Sequence, residues 1–99
     1  MKSLRNQSVD RLFEAILSLK DKEDCYGFFE DICTVKELQD IAQRLDTAFL
    51  LDEGMSYNEI SEKVGISSAT IGRVSKCLNY GTGGYRLVID NLKKSEESK

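Results

Sequence analysis

At 99 residues, with a formal net charge of −3 and 40% apolar side chains, the chain is sized for one domain with a modest core. It has no histidine, which excludes Ser-His and Cys-His nucleophilic catalysis and the commonest zinc sites, so no enzyme, cofactor or metal centre is expected. Three cysteines without C-x-x-C spacing, no opening secretory pattern and no apolar run near the ~20 residues of a membrane span predict a soluble protein of a reducing cytoplasm.

Residues 1–7 lack periodicity and are predicted to be a flexible terminus, followed by a single helical domain over 8–94 and a flexible charged tail over 95–99. Ser8 suits the cap of a first helix running to about Lys20, with Val9, Leu12, Phe13, Ile16, Leu17 and Leu19 forming a broad apolar stripe. Asp21 suits the cap of a second helix to Ile32, which gathers Cys25, Phe28, Phe29 and Ile32. Its carboxylates Glu23, Asp24, Glu30 and Asp31 read as solvated surface rather than as a metal or acid–base site.

Thr34 and Glu37 have the spacing of a capping box. They open the longest predicted helix, in which Leu38, Ile41, Ala42, Leu45, Ala48, Phe49 and Leu51 recur at helical intervals up to Asp52 or Glu53, with Gly54 as the stop.

From Met55 to Leu78 the pattern changes to two short helices about a turn at Gly65, the arrangement of a helix-turn-helix over about 56–78. Ser56 and Glu59 form a second S-x-x-E box, Ser67 or Ser68 can cap the second short helix, and small Ser61 permits a close crossing. Ile60, Val64, Ile66, Ile71 and Val74 are placed to share a core. The outer side of the second short helix carries Ser67, Ser68, Ala69, Thr70, Gly72, Arg73, Ser75 and Lys76, and no acidic residue occurs from Gly65 to Gly84. Acid there would repel a phosphate backbone. A Gly-broken helix pair also occurs in helical bundles that bind no nucleic acid, so charge placement matters. Residues 1–53 hold 7 basic and 12 acidic side chains, residues 54–82 hold 3 and 2, and residues 83–99 hold 4 and 3. The acid is concentrated away from the candidate DNA face.

The stretch Asn79 to Gly84 reads as a helix connector, since it follows a helix and lacks the lysine of a phosphate-binding P-loop. The flanking Tyr80 and Tyr85 are expected to pack. A last helix follows, with Tyr85, Leu87, Val88, Ile89 and Leu92. Six helices result, an all-α chain. The apolar faces of the first three and the last exceed what so small a bundle needs, and burial against a second copy is expected.

Thr34-Val35-Lys36-Glu37-Leu38, Arg44, Gly54-Met55-Ser56 with Glu59-Ile60, Gly65, and Ala69-Thr70-Ile71-Gly72-Arg73 together resemble the Trp repressor superfamily. Asn79 to Tyr85, preceded by Lys76-Cys77-Leu78, resembles its YerC/YecD-type branch. The likeness spans about Cys33 to Leu92 and implies an intertwined homodimer whose paired reading heads enter successive major grooves of double-stranded DNA. Carried across, the family's DNA-facing positions are Asn58 and Ser61 on the first short helix and Ser68, Ala69, Thr70 and Gly72 on the second. Two of these are basic in the Trp repressor and are Asn58 and Ser61 here, implying weaker phosphate attraction and a different operator.

The family's tryptophan pocket carries over to Arg44 and Arg73 flanking the indole, with Thr34 and Thr70 nearby. The chain departs from that pattern at Val74, where the family has glycine, and at Cys77, where it has serine. The function expected is therefore a DNA-binding transcription regulator, a repressor acting as a homodimer without tryptophan. An amino-acid-sensing repressor and a helical protein-interaction module are the alternatives, and whether a small-molecule effector binds is left open.

Overall fold

A computed structural model of the chain describes residues 4–97. They form six α-helices and, among the described residues, no strand: α1 (Gln7–Leu17), α2 (Lys22–Ile32), α3 (Val35–Asp52), α4 (Tyr57–Val64), α5 (Ser68–Tyr80) and α6 (Gly84–Glu97). None is long and apolar enough to cross a membrane.

Side-chain caps start five of the helices, each satisfying a backbone N–H that has no partner within its own helix. Asp21 Oδ1 accepts the Asp24 N–H at 2.9 Å, Ser56 Oγ that of Glu59 at 3.2 Å, and Ser67 Oγ that of Thr70 at 3.2 Å. At α3 the box is reciprocal. Thr34 Oγ1 accepts the Glu37 N–H at 3.0 Å while Glu37 Oε1 accepts the Thr34 N–H at 2.8 Å, which also holds the Glu37 carboxyl below its ordinary pKa.

The ends of the chain correct the expected boundaries. Asn6, not Ser8, caps α1, its Oδ1 accepting the Val9 N–H at 2.9 Å, so Gln7 belongs to the helix rather than to a flexible terminus. The helix stops at Leu17 instead of near Lys20. The Ser18 hydroxyl folds back to the Ala15 carbonyl, and the Lys20 N–H donates to the Asp24 carboxylate at the start of α2. At the other end α6 continues through Ser95 and Glu96 to Glu97, where a tail was expected, because lysine and glutamate are good helix formers and Lys93 is anchored. The rest of the expected termini, residues 1–3 and 98–99, lies outside the described residues.

The chain divides into two compact units, Met1–Leu38 and Gln39–Lys99. In the first, no residue of α1 or α2 is buried, although α1 is strongly amphipathic. Phe28 and Phe29 meet edge to face with ring centroids 5.5 Å apart, and Lys22, Cys25, Tyr26, Phe29 and Leu38 line an apolar groove of about 260 Å³.

The second unit holds the core. Ala48 of α3, Val74 of α5 and Ile89 of α6 form a buried cluster, with Phe49, Leu51, Leu78 and Tyr85 packed around it. Thr47 is buried beside it, its hydroxyl satisfied by the Gln43 carbonyl at 2.7 Å. Ile60 and Ile71 are wholly buried where α4 packs on α5, while Val64 and Ile66 are half-buried.

Asp52, the last residue of α3, accepts from Arg86 at 2.8 Å and from Lys93 at 2.6 Å, and these two hydrogen bonds hold its carboxyl below the ordinary value of 3.8. Since the folded pKa is the lower one, the stabilisation is complete above the unfolded value and is lost as pH falls through the folded one. Acid titration followed by circular dichroism is expected to lose stability below about pH 4, and Asp52→Asn is expected to flatten that part of the curve.

Candidate nucleic-acid interface

The α4–turn–α5 segment is built from local interactions. Ser56 caps α4 and its hydroxyl donates to Glu59 Oε1 at 2.9 Å, so this box closes through the side chains. Gly65 closes α4 with a left-handed φ of 82°, its N–H returning to the Ser61 carbonyl at 2.9 Å. Across the turn the Ser61 hydroxyl donates to the Ile66 carbonyl at 2.8 Å, tying the end of α4 to the approach to α5. Burial of Ile60 and Ile71 then fixes the two helices against each other.

Asn58, Ser68, Ala69 and Lys76 are exposed, and Gly72 is half-buried with nothing within 4 Å of where a Cβ would stand. Ser68 and Ala69 occupy the first turn of α5, where unpaired N–H groups and the helix dipole favour an anion. Arg73 and Lys76 are exposed and form no ion pair among the described residues. Three of the residues singled out in the sequence have internal tasks. Ser61 ties the turn, Ser67 caps α5, and half-buried Thr70 shares its hydroxyl with Ser67 at 3.1 Å.

The residues that the family likeness places in a ligand pocket are arranged unevenly. Thr34 caps α3 in the first unit. In the second unit Arg44, Arg73 and Cys77 are exposed, whereas Val74 is 2% exposed inside the core cluster. Neither arginine makes an ion pair among the described residues. Burial raises the pKa of the Tyr85 phenol, while the nearby Arg44 cation lowers it and Cys77 adds a smaller upward push.

Two features escaped the sequence. Tyr85 packs on the core as expected, but Tyr80 does not, standing 86% exposed at the end of α5. The Asp52–Arg86–Lys93 cluster joins residues too far apart for any local pattern to reveal.

Comparison with known proteins agrees with this geometry. Residues 7–93 match the family described as Trp repressor protein. The protein YerC of Bacillus subtilis is 50% identical over 93 residues, which is 94% of this chain and 89% of that one. Among solved structures, a TrpR-like protein from Eubacterium eligens superposes with a TM-score of 0.88 at 49% identity, covering 91% of this chain and 93% of its own. A candidate Trp repressor from Staphylococcus aureus superposes at 0.87 and 42% identity, covering 91% and 90%. A match across nearly the whole length, joined to the capped six-helix order and the α4–turn–α5 geometry, makes this chain a member of the Trp repressor family, a family of DNA-binding regulators rather than of enzymes.

Proposed function

We propose that this protein is a cytoplasmic transcription regulator, a repressor that reads double-stranded operator DNA as an intertwined homodimer and does not use tryptophan as its switch. The observation that carries this reading is the α5 face: Ser68, Ala69, Gly72, Arg73 and Lys76 lie on a rigidly capped helix without one acidic side chain from Gly65 to Gly84. In the docking we envisage, Ser68 and Ala69 approach base edges and Asn58, Arg73 and Lys76 take phosphates. A second copy is supported by the large apolar side chains left exposed in one chain, among them Leu4, Phe13, Leu17, Ile32 and Val35, and by Leu87, Val88 and Leu92 on α6. Two-fold pairing would set half-sites about one DNA turn apart.

The test is selection of genomic fragments by the purified protein, followed by affinity for a selected and a scrambled duplex. Gly72→Ala sharpens it. An added methyl meets nothing in the chain and a helical alanine is favoured over glycine by ~0.5–1 kcal/mol, so folding stability is expected to hold or rise. Affinity for the selected duplex is expected to fall by roughly 1–3 kcal/mol, because the methyl would hold α5 off the groove and disturb the base-edge contacts of Ser68 and Ala69. Unchanged affinity would remove Gly72 from the interface; no preference for any fragment would remove the function.

A further inference from the structure

We infer that Asp52, Arg86 and Lys93 form a clamp that sets the direction in which the α4–α5 reading head leaves α3, which makes them positioning residues for DNA docking. The inference rests on the DNA-binding reading above. Both oxygens of one carboxylate are taken by different cations: Arg86 Nη2 lies 2.8 Å from Oδ1 and Lys93 Nζ lies 2.6 Å from Oδ2. The Asp52 side chain is only 13% exposed. Arg86 and Lys93 are two helical turns apart on α6, and between them Ile89 is wholly buried against Ala48 and Val74. The clamp therefore borders packed core on its Asp52 side, while the Arg86 and Lys93 side chains stay 44% and 49% exposed, so its role is to fix geometry at one covered carboxylate rather than to add much stability.

Its place in the chain supplies the function. Asp52 is the last residue of α3, where the helix dipole disfavours an anion, so this acid does nothing for its own helix. The turn to α4 follows at once. Gly54 takes a φ of 89° there, and the Gly54 and Met55 N–H groups return to the Leu51 and Leu50 carbonyls at 3.0 and 3.1 Å. The reading head runs from this turn through α4 and α5, and the chain comes back to Asp52 through α6. Lys93 and Asp52 are 41 positions apart, so the clamp closes a chain loop that contains the whole reading head. Release at Asp52 frees the outgoing turn and the returning helix together. Arg86 retains a second acceptor in Asp90 at 3.6 Å, and Lys93 closes the other side of the clamp at 2.6 Å.

The test uses the full-length protein and its Asp52→Asn, Asp52→Glu and Asp52→Asn/Lys93→Gln variants. Removing an acidic charge should by itself strengthen attraction to DNA, so a loss of affinity on neutralisation has to come from geometry. Asp52→Asn is expected to speed amide exchange at Glu53, Gly54, Met55 and along α6 at least tenfold more than at Ile60 and Ile71. It is expected to weaken binding to a selected duplex at least fivefold while leaving scrambled duplex bound as before or slightly tighter. Asp52→Glu should restore most of both, and the double variant should show amide exchange no faster than Asp52→Asn. Exchange that stays unchanged, or that accelerates evenly over all helices, would overturn the clamp, as would unaltered or increased affinity for the selected duplex. A wild-type protein that prefers no duplex would instead overturn the proposed function, and the exchange pattern would still decide whether the clamp exists.

Discussion

Added L-tryptophan is expected to give no calorimetric binding at micromolar concentration and no rise in DNA affinity. The position that the Trp repressor resemblance assigns to a residue without a side chain is Val74, and Val74 is 2% exposed, packed with Ala48 and Ile89 and surrounded by Phe49, Leu51, Leu78 and Tyr85. An indole pressed against it would overpack a filled core, at a cost of ~1–3 kcal/mol. Cys77 adds to this, because a thiol is a weak hydrogen-bond partner for a ligand's polar end and the difference is on the order of 1 kcal/mol. Together the two amount to a weakening of roughly 30- to 1000-fold. Arg44 and Arg73 remain exposed and do not undo the steric effect. Micromolar binding, or a severalfold gain in DNA affinity with tryptophan, would contradict this. Val74→Gly with Cys77→Ser is expected to recover measurable binding. Its urea midpoint should be recorded alongside, since the same change removes a core side chain and places a glycine inside α5.

The largest loss of stability from a single truncation is expected at Ile89→Ala, ~2–5 kcal/mol, because Ile89 is wholly buried between α3 and α5 and the cavity it leaves is walled by three helices. Leu87, two residues away and 62% exposed, provides the contrast. Leu87→Ala removes no core contact within one chain, so by the usual behaviour of surface substitutions it should change the stability of a single chain by less than ~0.5 kcal/mol. It lies on the α6 face proposed to meet a second copy, and its expected effect is on association. Urea unfolding at fixed protein concentration, with sedimentation over a concentration series, separates the two. Equal midpoints for both variants, or a Leu87→Ala protein that associates as the wild type does, would contradict the assignment of these faces.

Local rules explain how much of this could be read beforehand. The caps at Asp21, Thr34 and Ser56, and Ser67 as one of two candidates, were legible because each joins a side chain to an N–H three residues on. So was the turn at Gly65, where only a left-handed φ closes the helix cheaply. Asn6 was missed because Ser8 satisfies the same capping preference and nothing local ranks one above the other. The α6 terminus was misread because a charged segment looks solvated whether it is helical or not. Within the α4–turn–α5 segment, composition marked an acid-free face but could not tell which hydroxyls are held internally, as those of Ser61, Ser67 and Thr70 are. Val74 was expected in a core shared by α4 and α5. Its packing with α3 and α6 residues depends on tertiary placement, as does the Asp52 clamp, and no periodicity carries that.

The most direct test of the central claim is the salt dependence of binding by the full-length protein to a selected duplex, between about 50 and 200 mM monovalent salt. Arg73 and Lys76 from each of two heads supply four cations, and at about −0.9 per neutralised phosphate the log–log slope is expected near −3 to −4. Lys76→Ala, present twice in a dimer, should reduce the magnitude of that slope by about two while leaving the preferred base sequence unchanged. A slope near zero, or one that Lys76→Ala leaves as it was, would contradict DNA docking through α5.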